Sequence, residues 1–427
     1  MKKIFKYTFI LISFLFLMSS CIPLSLFDPL ITNEIIDGNF DKVIEFKEKV
    51  KNVKINGTVL SSFDGKNYTL SRTLFTKNNY LEYEYNGKIY KKTLNAVKPD
   101  LQLFIYACGD TTNSPLSEFL EDDINEIKNA LMNVKRNILV TIIADFTEND
   151  KIINLYNMNG KFYRVETNPS EYGMNDEINS SNPDILYTYM EKFYIGNTFF
   201  LDLWNHGNAW EWESKQYLKT KAVIVESSSE FLKISDIKNV LKKFEETHKK
   251  IDVIGFDACS MAQLEIVYEL SPYANYFVGS VNEEPGYGWN YNFLRYYDLS
   301  IEFMLSNLVA VYYDYYNSYS NLNYLTMTAI RLNDFKNFVS KNLVSIKPND
   351  NDVVIFHSVI SNADFCDSKF AVNGIENYII NSYYKEKNST GLGILYKTSD
   401  MDLILDYKEL DFYKDFKLWI EEKWKPF

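Results

Sequence analysis

The chain contains a cysteine in the kind of setting that nucleophilic catalysis needs. Cys259 follows an apolar run that begins at Ile251 and is typical of a buried strand. Apolar residues then recur at helical spacing, which places the thiol where a strand ends and a helix begins. Unpaired N–H groups and the helix dipole favour an anion there, so we expect the thiol to ionise more readily than a free cysteine. A buried structural cysteine is the alternative, but it would fit better inside the apolar run.

A matching base stands at the end of a second apolar strand. Residues 197–205 lead into His206-Gly207, the only His-Gly pair in a chain with three histidines. If both strands belong to one parallel sheet, their carboxyl ends meet at one edge and bring His206 beside Cys259. Such a pair suits thiolate attack on a carbonyl, with the imidazole acting first as base and then as acid. The N–H groups of Gly207 and Cys259 would form an oxyanion hole.

Three sequence blocks resemble the clostripain family of cysteine peptidases, within the caspase-like superfamily. They are Phe-Leu-Asp-Leu-Trp-Asn-His-Gly at 200–207, Gly-Phe-Asp-Ala-Cys-Ser-Met at 255–261 and Glu-Pro-Gly-Tyr-Gly-Trp at 284–289. The similarity extends over roughly residues 101–396. It implies a cysteine endopeptidase with a caspase-like, mostly parallel α/β sheet. One departure from the family is Asn208-Ala209, where relatives often have glycines, so the backbone beyond Gly207 is left open.

The resemblance also implies how a substrate is recognised. Asp257 lies two residues before the cysteine, on the same face of its strand, and in this family it lies at the base of the pocket for the side chain preceding the scissile bond. A carboxylate there selects Arg or Lys. Its alternative role is to cap the following helix. Glu284, Tyr287 and Trp289 are expected to form a wall of the cleft, unless their loop is a surface turn with buried aromatics.

Family members mature by cutting themselves at a basic residue between the two blocks. Lys215, Lys219 and Lys221 are the candidates here, and an ordinary solvated loop is the alternative. Clostripain-like enzymes can also need calcium, although the chemistry itself requires no cofactor. Asp110 or the loop at 364–367 can supply oxygen ligands, but no regular calcium loop is present, so the metal is left unassigned.

The amino terminus has the pattern of an export signal. Lysines within the first six residues precede an apolar run at 7–18, and Ser19-Ser20-Cys21 follows. Small residues before a cysteine resemble a bacterial lipoprotein cleavage site, so residues 1–20 are predicted to be a signal peptide and Cys21 the lipidated residue. A retained signal anchor is disfavoured because the apolar run is short for a membrane span. We expect an exported, membrane-anchored lipoprotein, periplasmic or on the cell surface.

The remaining chain is predicted to form three segments. Residues 21–50 are expected to be a lipid-anchored tether with one short helix. Residues 51–96 show strand alternation and an Asn86-Gly87 hairpin signal, which predicts a small antiparallel β module acting as a spacer or a binding surface. Residues 97–427 alternate strand and helix patterns, which predicts a mostly parallel sheet with helices on both faces and a C-terminal extension.

Composition narrows the classes of partner. The 427-residue chain has a net charge of −12, which argues against nucleic acid and is compatible with basic peptide or protein substrates. Cys108 and Cys366 can form a disulfide or remain two buried thiols. His248 and His357 have the setting of structural residues, and no spacing resembles a zinc site. Two other functions stay open: an inactive peptidase fold that acts in binding, and an adhesin driven by residues 53–93.

Overall fold

The computed structural model describes most of the chain, which divides into two compact units between Lys98 and Pro99. The described residues are 42–70, 79–94, 99–111, 115–158, 160–195, 197–210, 223–225, 230–319, 322, 324–356, 360, 362–384 and 389–427. Within them, no helix has both the length and the apolar character needed to cross a bilayer.

The first unit is an antiparallel β module, as the alternation of its sequence predicts. Its strands are β1 (Lys42–Glu45), β2 (Lys51–Ile55), β3 (Thr58–Val59), β4 (Asn67–Leu70), β5 (Asn79–Tyr85) and β6 (Lys88–Leu94). They pair as β1-β4 and as β3-β2-β5-β6. The hairpin at Asn86-Gly87 is confirmed, because Tyr85 pairs with Lys88 and both turn residues have positive φ. Residues 21–41 lie outside the described residues, so the short helix expected before residue 51 stays a prediction. In the described remainder of that segment, Ile44 and Phe46 are both buried, and this two-residue period suits the strand pairing of β1.

The second unit is built on one large sheet in the order β10-β9-β8-β7-β11-β14-β15-β16-β19. The strands of this unit are β7 (Leu101–Cys108), β8 (Ile138–Asp145), β9 (Lys151–Met158), β10 (Lys161–Thr167), β11 (Thr198–Trp204), β12 (Val223–Val225), β13 (Phe231–Leu232), β14 (Ile251–Asp257), β15 (Ala274–Gly279), β16 (Thr326–Arg331), β17 (Ile355–Phe356), β18 (Ala363–Asp367), β19 (Ile379–Tyr384) and β20 (Gly393–Thr398). The five central strands, β8 to β15 in the sheet order, are parallel, and the outer pairs are antiparallel. The predicted parallel α/β centre is therefore confirmed.

Helices cover both faces of this sheet. They are α1 (Ser117–Leu131), α2 (Pro183–Phe193), α3 (Ile234–Thr247), α4 (Leu264–Leu270), α5 (Ile301–Tyr316), α6 (Phe335–Asn342), α7 (Met401–Glu409) and α8 (Asp411–Trp419), with short 3-10 turns such as Tyr291–Tyr296 and a π turn at Ile420–Trp424. Neighbouring residues of β11 point to opposite faces. Phe200 joins the core beneath α1 and α5, whereas the ring of Phe199 stacks on Phe244 of α3.

The register of the central strands decides where the functional edge lies. Trp204, the last residue of β11, pairs with Ala107 of β7 and with Asp257 of β14. The residues that follow these strands therefore emerge at one edge. Two small additional sheets are formed by β12-β13 and by β17-β18-β20. The indole N–H of Trp424 donates to the Leu395 carbonyl of β20 at 2.7 Å, which joins the C-terminal π turn to that sheet.

Candidate active site

His206-Gly207 and Cys259 meet where β11 and β14 end. A Cβ atom added to Gly207 would lie 2.1 Å from the Cys259 carbonyl oxygen and 2.9 Å from its amide nitrogen. The two backbone segments are therefore in direct contact, and only glycine fits between them. His206 and Cys259 are both half-buried residues. The Asn205 N–H donates to the Asp257 carbonyl at 3.3 Å, which continues the pairing beyond the strands.

The sulfur of Cys259 lies in a more buried and more acidic setting than its sequence predicts. The pKa of the Cys259 thiol is raised to about 11, mainly by burial and also by the charges of Glu283 and Asp257, while the Glu284 N–H opposes this rise. That N–H donates to Sγ at 3.2 Å. The expectation of a readily ionised thiol is therefore wrong. The reason is that α4 begins only at Leu264, so Cys259 lies in a turn and gains little from the helix dipole.

Asp257 lies beneath the cysteine and is bound by the loop that follows β15. Both of its carboxylate oxygens accept the Trp289 N–H, at 3.1 and 3.0 Å, and Oδ2 also contacts the Tyr291 hydroxyl at 3.1 Å. Its alternative role as a helix cap is wrong, because α4 has Gln263 at its N-cap. Burial raises the pKa of Asp257 to about 7, and the hydrogen bonds from Trp289 and Tyr291 oppose that rise. Gly288 has a φ of 54°, and a Cβ there would lie 2.6 Å from Oδ1.

Glu284 brings a second carboxyl group to the same place. It interacts with the carboxyl of Asp257, while neither of its oxygens receives a hydrogen bond from an amide, amine or hydroxyl donor among the described residues. Burial and the charge of Asp257 raise the pKa of Glu284 well above its ordinary value. Within the same part of the chain, no lysine or arginine forms an ion pair with either acid.

The aromatic residues of this loop have different positions. Tyr287 is 50% exposed and packs edge-on against Phe119 of α1, with ring centroids 5.3 Å apart. Trp289 is 1% exposed, and its ring lies over Gly255, where an added Cβ would be 2.6 Å from Cη2. Tyr287 is thus exposed beside α1, and its part in a substrate cleft stays a prediction. The Trp289 ring is one of the buried aromatics of the alternative, and only its backbone N–H reaches Asp257.

Several residues of this site are not identified by the sequence analysis. Asp202 of β11 is fully buried and contacts Tyr291, and Asp123 of α1 accepts the Trp204 indole N–H at 2.8 Å. The Asn205 side-chain amide donates to the Cys108 carbonyl. One signal in the sequence points to Asp202, namely an acid in the middle of an otherwise apolar strand.

Other predicted residues lie elsewhere or outside the described residues. Lipidation at Cys21, cleavage at Lys215, Lys219 or Lys221, and the setting of His357 all fall outside them. His248 ends α3 and its Nε2 lies 2.9 Å from a Glu191 carboxylate oxygen. Cys108 and Cys366 are buried free thiols, so the alternative of a disulfide between them is wrong.

Of the residues suggested for calcium, Asp367 has its carboxylate oxygens occupied by hydrogen bonds. The Asp367 carboxylate accepts hydrogen bonds from the Ser389 hydroxyl and from the hydroxyl and backbone N–H of Thr390. Across the described residues, no group of three or more His, Cys, Asp or Glu side chains is placed to hold a metal ion.

Comparison with known proteins agrees with this fold. The structure matches a secreted C11 cysteine protease from Bacteroides thetaiotaomicron, solved in complex with an irreversible peptide inhibitor, with a TM-score of 0.57 and 17% identity over 74% of this chain and 98% of that chain. It also matches an inactive zymogen C11 protease from Parabacteroides distasonis, with a TM-score of 0.56 and 20% identity over 74% and 98% of the two chains. These likenesses establish a shared fold.

A search of curated proteins found no match. The model of the clostripain family, peptidase family C11, matches residues 105–327, which is more than half of the chain and includes both strand ends described above. The chain therefore belongs to the clostripain family of cysteine peptidases.

Proposed function

We propose that this cysteine peptidase cleaves peptide bonds after Arg or Lys, with Cys259 as nucleophile and His206 as general base and acid. The observation that carries this proposal is the backbone contact between Gly207 and Cys259, which brings the imidazole and the thiol to one rim. Two buried acids at that rim, neither of which forms an ion pair with a lysine or arginine among the described residues, support the choice of a basic substrate side chain.

Because the thiol pKa is about 11 in the free site, the sulfur rests as a neutral thiol at neutral pH. Proton transfer to His206 therefore accompanies the attack of Sγ on the substrate carbonyl. The Gly207 and Cys259 N–H groups receive the oxyanion, an interaction worth about 3–4 kcal/mol per donor in well-studied peptidases. His206 then gives the proton to the leaving amine, and water hydrolyses the thioester with His206 again as base.

The acid pair accounts for the preference for a cationic side chain. Asp257 is already hydrogen-bonded at both oxygens, whereas Glu284 has both oxygens free of N–H and O–H donors among the described residues. Glu284 can therefore receive two parallel N–H groups of a guanidinium, which favours Arg over the single point charge of Lys. A cation would also offset the burial that raises the pKa of both acids.

The test is a fluorogenic peptide panel that varies the residue before the cut, with and without a chelator. Wild-type enzyme is expected to cleave after Arg and Lys, and the chelator should leave each rate unchanged, because the proposed chemistry uses only the thiol, the imidazole and backbone N–H groups. Cys259→Ala is expected to lose several orders of magnitude in rate. Cleavage by Cys259→Ala at the wild-type rate would remove the mechanism.

Glu284→Gln tests the specificity separately. A hydrogen bond to a charged group is worth about 1.5–3 kcal/mol, so we expect kcat/KM for arginyl peptides to fall roughly 10- to 100-fold. Glu283→Gln is the matched control, since it changes the net charge equally at the neighbouring position. Equal losses in both variants would mean that overall charge, and not a specific pocket, sets the preference.

We also propose that the enzyme is exported and lipid-anchored through Cys21. Support comes from the signal pattern of the sequence and from the matched Bacteroides protease, which is described as secreted. Membrane fractionation with a clickable fatty acid should label wild type and not Cys21→Ser. A wild-type protein that stays unlabelled in the cytoplasm contradicts the anchor.

Maturation by self-cleavage at Lys215, Lys219 or Lys221 is part of the same proposal, based on the family resemblance. Intact-mass analysis of the purified protein should find two chains in wild type and one in Cys259→Ala. A variant with all three lysines replaced by Gln, and otherwise wild type, should stay uncut in this segment. Continued cutting at the same bond rules these residues out.

A further inference from the structure

A tyrosine connects two carboxyl groups behind the proposed specificity pocket. The Tyr291 hydroxyl lies 3.0 Å from Oδ2 of Asp202 and 3.1 Å from Oδ2 of Asp257. Asp202 and Asp257 lie on the same face of adjacent parallel strands, β11 and β14, two residues apart in register. All three side chains are buried. The two carboxyl groups are therefore linked through one buried tyrosine hydroxyl.

The number of protons limits what this arrangement can be. A phenol has one hydrogen to donate, so it can satisfy only one of two ionised carboxylates. If both acids were ionised, the second oxygen–oxygen contact would have no proton, and two buried charges would lie on either side of one hydroxyl. Both contacts become hydrogen bonds only when one of the acids carries a proton and donates it to the tyrosine oxygen.

The hydrogen bonds around each acid indicate which one is protonated. Asp257 accepts the Trp289 N–H at both oxygens, at 3.1 and 3.0 Å, which stabilises an anion. Asp202 accepts one longer bond, from the Asp257 N–H to Oδ1 at 3.3 Å. Its Oδ2 is then the oxygen that carries the proton. The pKa values agree with this order, since burial and the charge of Asp257 raise the pKa of Asp202 well above normal, whereas that of Asp257 reaches only about 7.

We infer that Asp202 and Tyr291 are positioning residues for substrate recognition: a protonated Asp202 donates to Tyr291, and Tyr291 donates to Asp257, which keeps the specificity carboxylate ionised and oriented. The relay adds a directed hydrogen bond to Asp257 without adding a second buried negative charge. Its role in recognition rests on the proposed cleavage after basic residues, whereas the protonation of Asp202 does not.

The groups around Asp257 explain why such support is needed. The titratable side chains whose charges act on this cluster are themselves acids, a thiol and phenols: Asp123, Glu126, Glu284, Cys259, Tyr312 and Tyr316. Burial and the charge of Glu126 disfavour a negative charge on Asp257, and no cationic side chain is among the groups named here. Hydrogen bonds from Trp289, Tyr291 and Glu284 oppose this effect before a cationic substrate arrives.

The first experiment measures kcat/KM for an arginyl substrate between pH 5 and pH 9. We expect the acid limb of Tyr291→Phe to move up by about one pH unit, because a hydrogen bond to a charged group is lost. The change should appear mainly in KM. Asp202→Leu, which has no donor, should shift the limb in the same direction, whereas Asp202→Asn can still donate to Tyr291 and should keep the limb at the wild-type position.

Two outcomes overturn the inference. One is a shift of the acid limb to lower pH in the kcat/KM profile of Asp202→Asn. Such a shift would mean that the substitution has neutralised an ionised Asp202. The other is a limb in Tyr291→Phe that does not move. A tyrosine with only a packing role would lower kcat and stability and leave the limb in place, so the profile separates the two cases.

The second experiment is independent of activity. At pH 7, the infrared spectrum of Cys259→Ala should contain one protonated-carboxyl C=O band that disappears when Asp202→Asn is added. Loss of a carboxylate band instead overturns the inference. If wild type fails to cleave after Arg or Lys, the proposed specificity fails, and this spectrum still decides whether Asp202 carries the proton.

Discussion

Replacing Gly207 with alanine tests the geometry on which the mechanism depends. The added Cβ would lie 2.1 Å from the Cys259 carbonyl oxygen, and ordinary contacts between such atoms need about 3.5 Å. The other nearby atoms are the Cys259 amide nitrogen and the Ala258 Cβ, at 2.9 and 3.0 Å. Two of these three atoms belong to the backbone and cannot rotate away. The strand ends must therefore separate by more than ~1 Å.

That separation should affect catalysis more than folding. A displacement of about 1 Å between reacting groups costs on the order of 100-fold in rate, or about 2.7 kcal/mol of barrier. Overpacking of this kind usually costs about 1–3 kcal/mol of folding free energy. The oxyanion donors would also move apart, so we expect kcat/KM to fall by at least 100-fold in protein that remains folded.

The assay compares kcat/KM on a fluorogenic arginyl peptide with urea unfolding of the same samples. Gly279→Ala is the matched control, because Gly279 also ends a strand of this sheet and its added Cβ meets ring atoms of Phe277 at 3.3 Å, which can adjust. The control should keep kcat/KM within a few fold. A Gly207→Ala enzyme within about threefold of wild type would show that His206 and Cys259 do not depend on this contact.

Three further predictions follow from the burial of ionisable groups and from the glycine loop. In the free enzyme, alkylation of Cys259 by iodoacetamide should rise tenfold per pH unit up to about pH 11, and a plateau near pH 8 contradicts the buried thiol. Burial raises the pKa of Glu265 from 4.5 to about 7, so the protein should be most stable below pH 4.5 with respect to this group and lose roughly 3 kcal/mol as the pH rises through 7. Urea unfolding at pH 5 and pH 8 should find this loss in wild type and not in Glu265→Gln, and equal pH dependence of the two proteins refutes it. Gly288→Ala should raise KM for arginyl peptides more than it lowers kcat, because its Cβ would be 2.6 Å from the Asp257 carboxylate, and an unchanged KM argues against that loop as part of the pocket.

Much of the fold was predictable because its signals are local. The apolar runs that end at Trp204 and Asp257 are strands, and the patterns beginning near Leu116 and Ser300 are helices. Periodicity within ten to twenty residues reflects which side of an element is buried, so it can be read without knowing the partner. The turn chemistry of Asn86-Gly87 is local in the same sense. Residues 42–45 were not recognised as a strand because so short a charged segment has no clear period, and pairing with β4 decides its structure.

The ionisation of the site was not predictable from the same patterns. Cys259 was expected to ionise easily because a helix seemed to follow at once. Burial of the thiol raises its pKa instead, the charges of Glu283 and Asp257 add to the rise, and α4 begins only at Leu264. The electrostatic energy of a group depends on every charge within several ångströms and on the loss of water, and neither quantity is contained in sequence spacing.

Sequence alone was enough to point to the residues that we propose for the chemistry: a cysteine and a histidine, each at the polar end of an apolar strand, and an acid two residues before the cysteine. Tertiary structure decided what surrounds them. Glu284, Tyr291 and Asp202 come from three separate segments and meet Asp257 only because β11 and β14 are adjacent and the loop after β15 folds back over them. Strand patterns depend on neighbours in the chain, whereas proton positions and charge depend on neighbours in space, and these are set only when the sheet has formed.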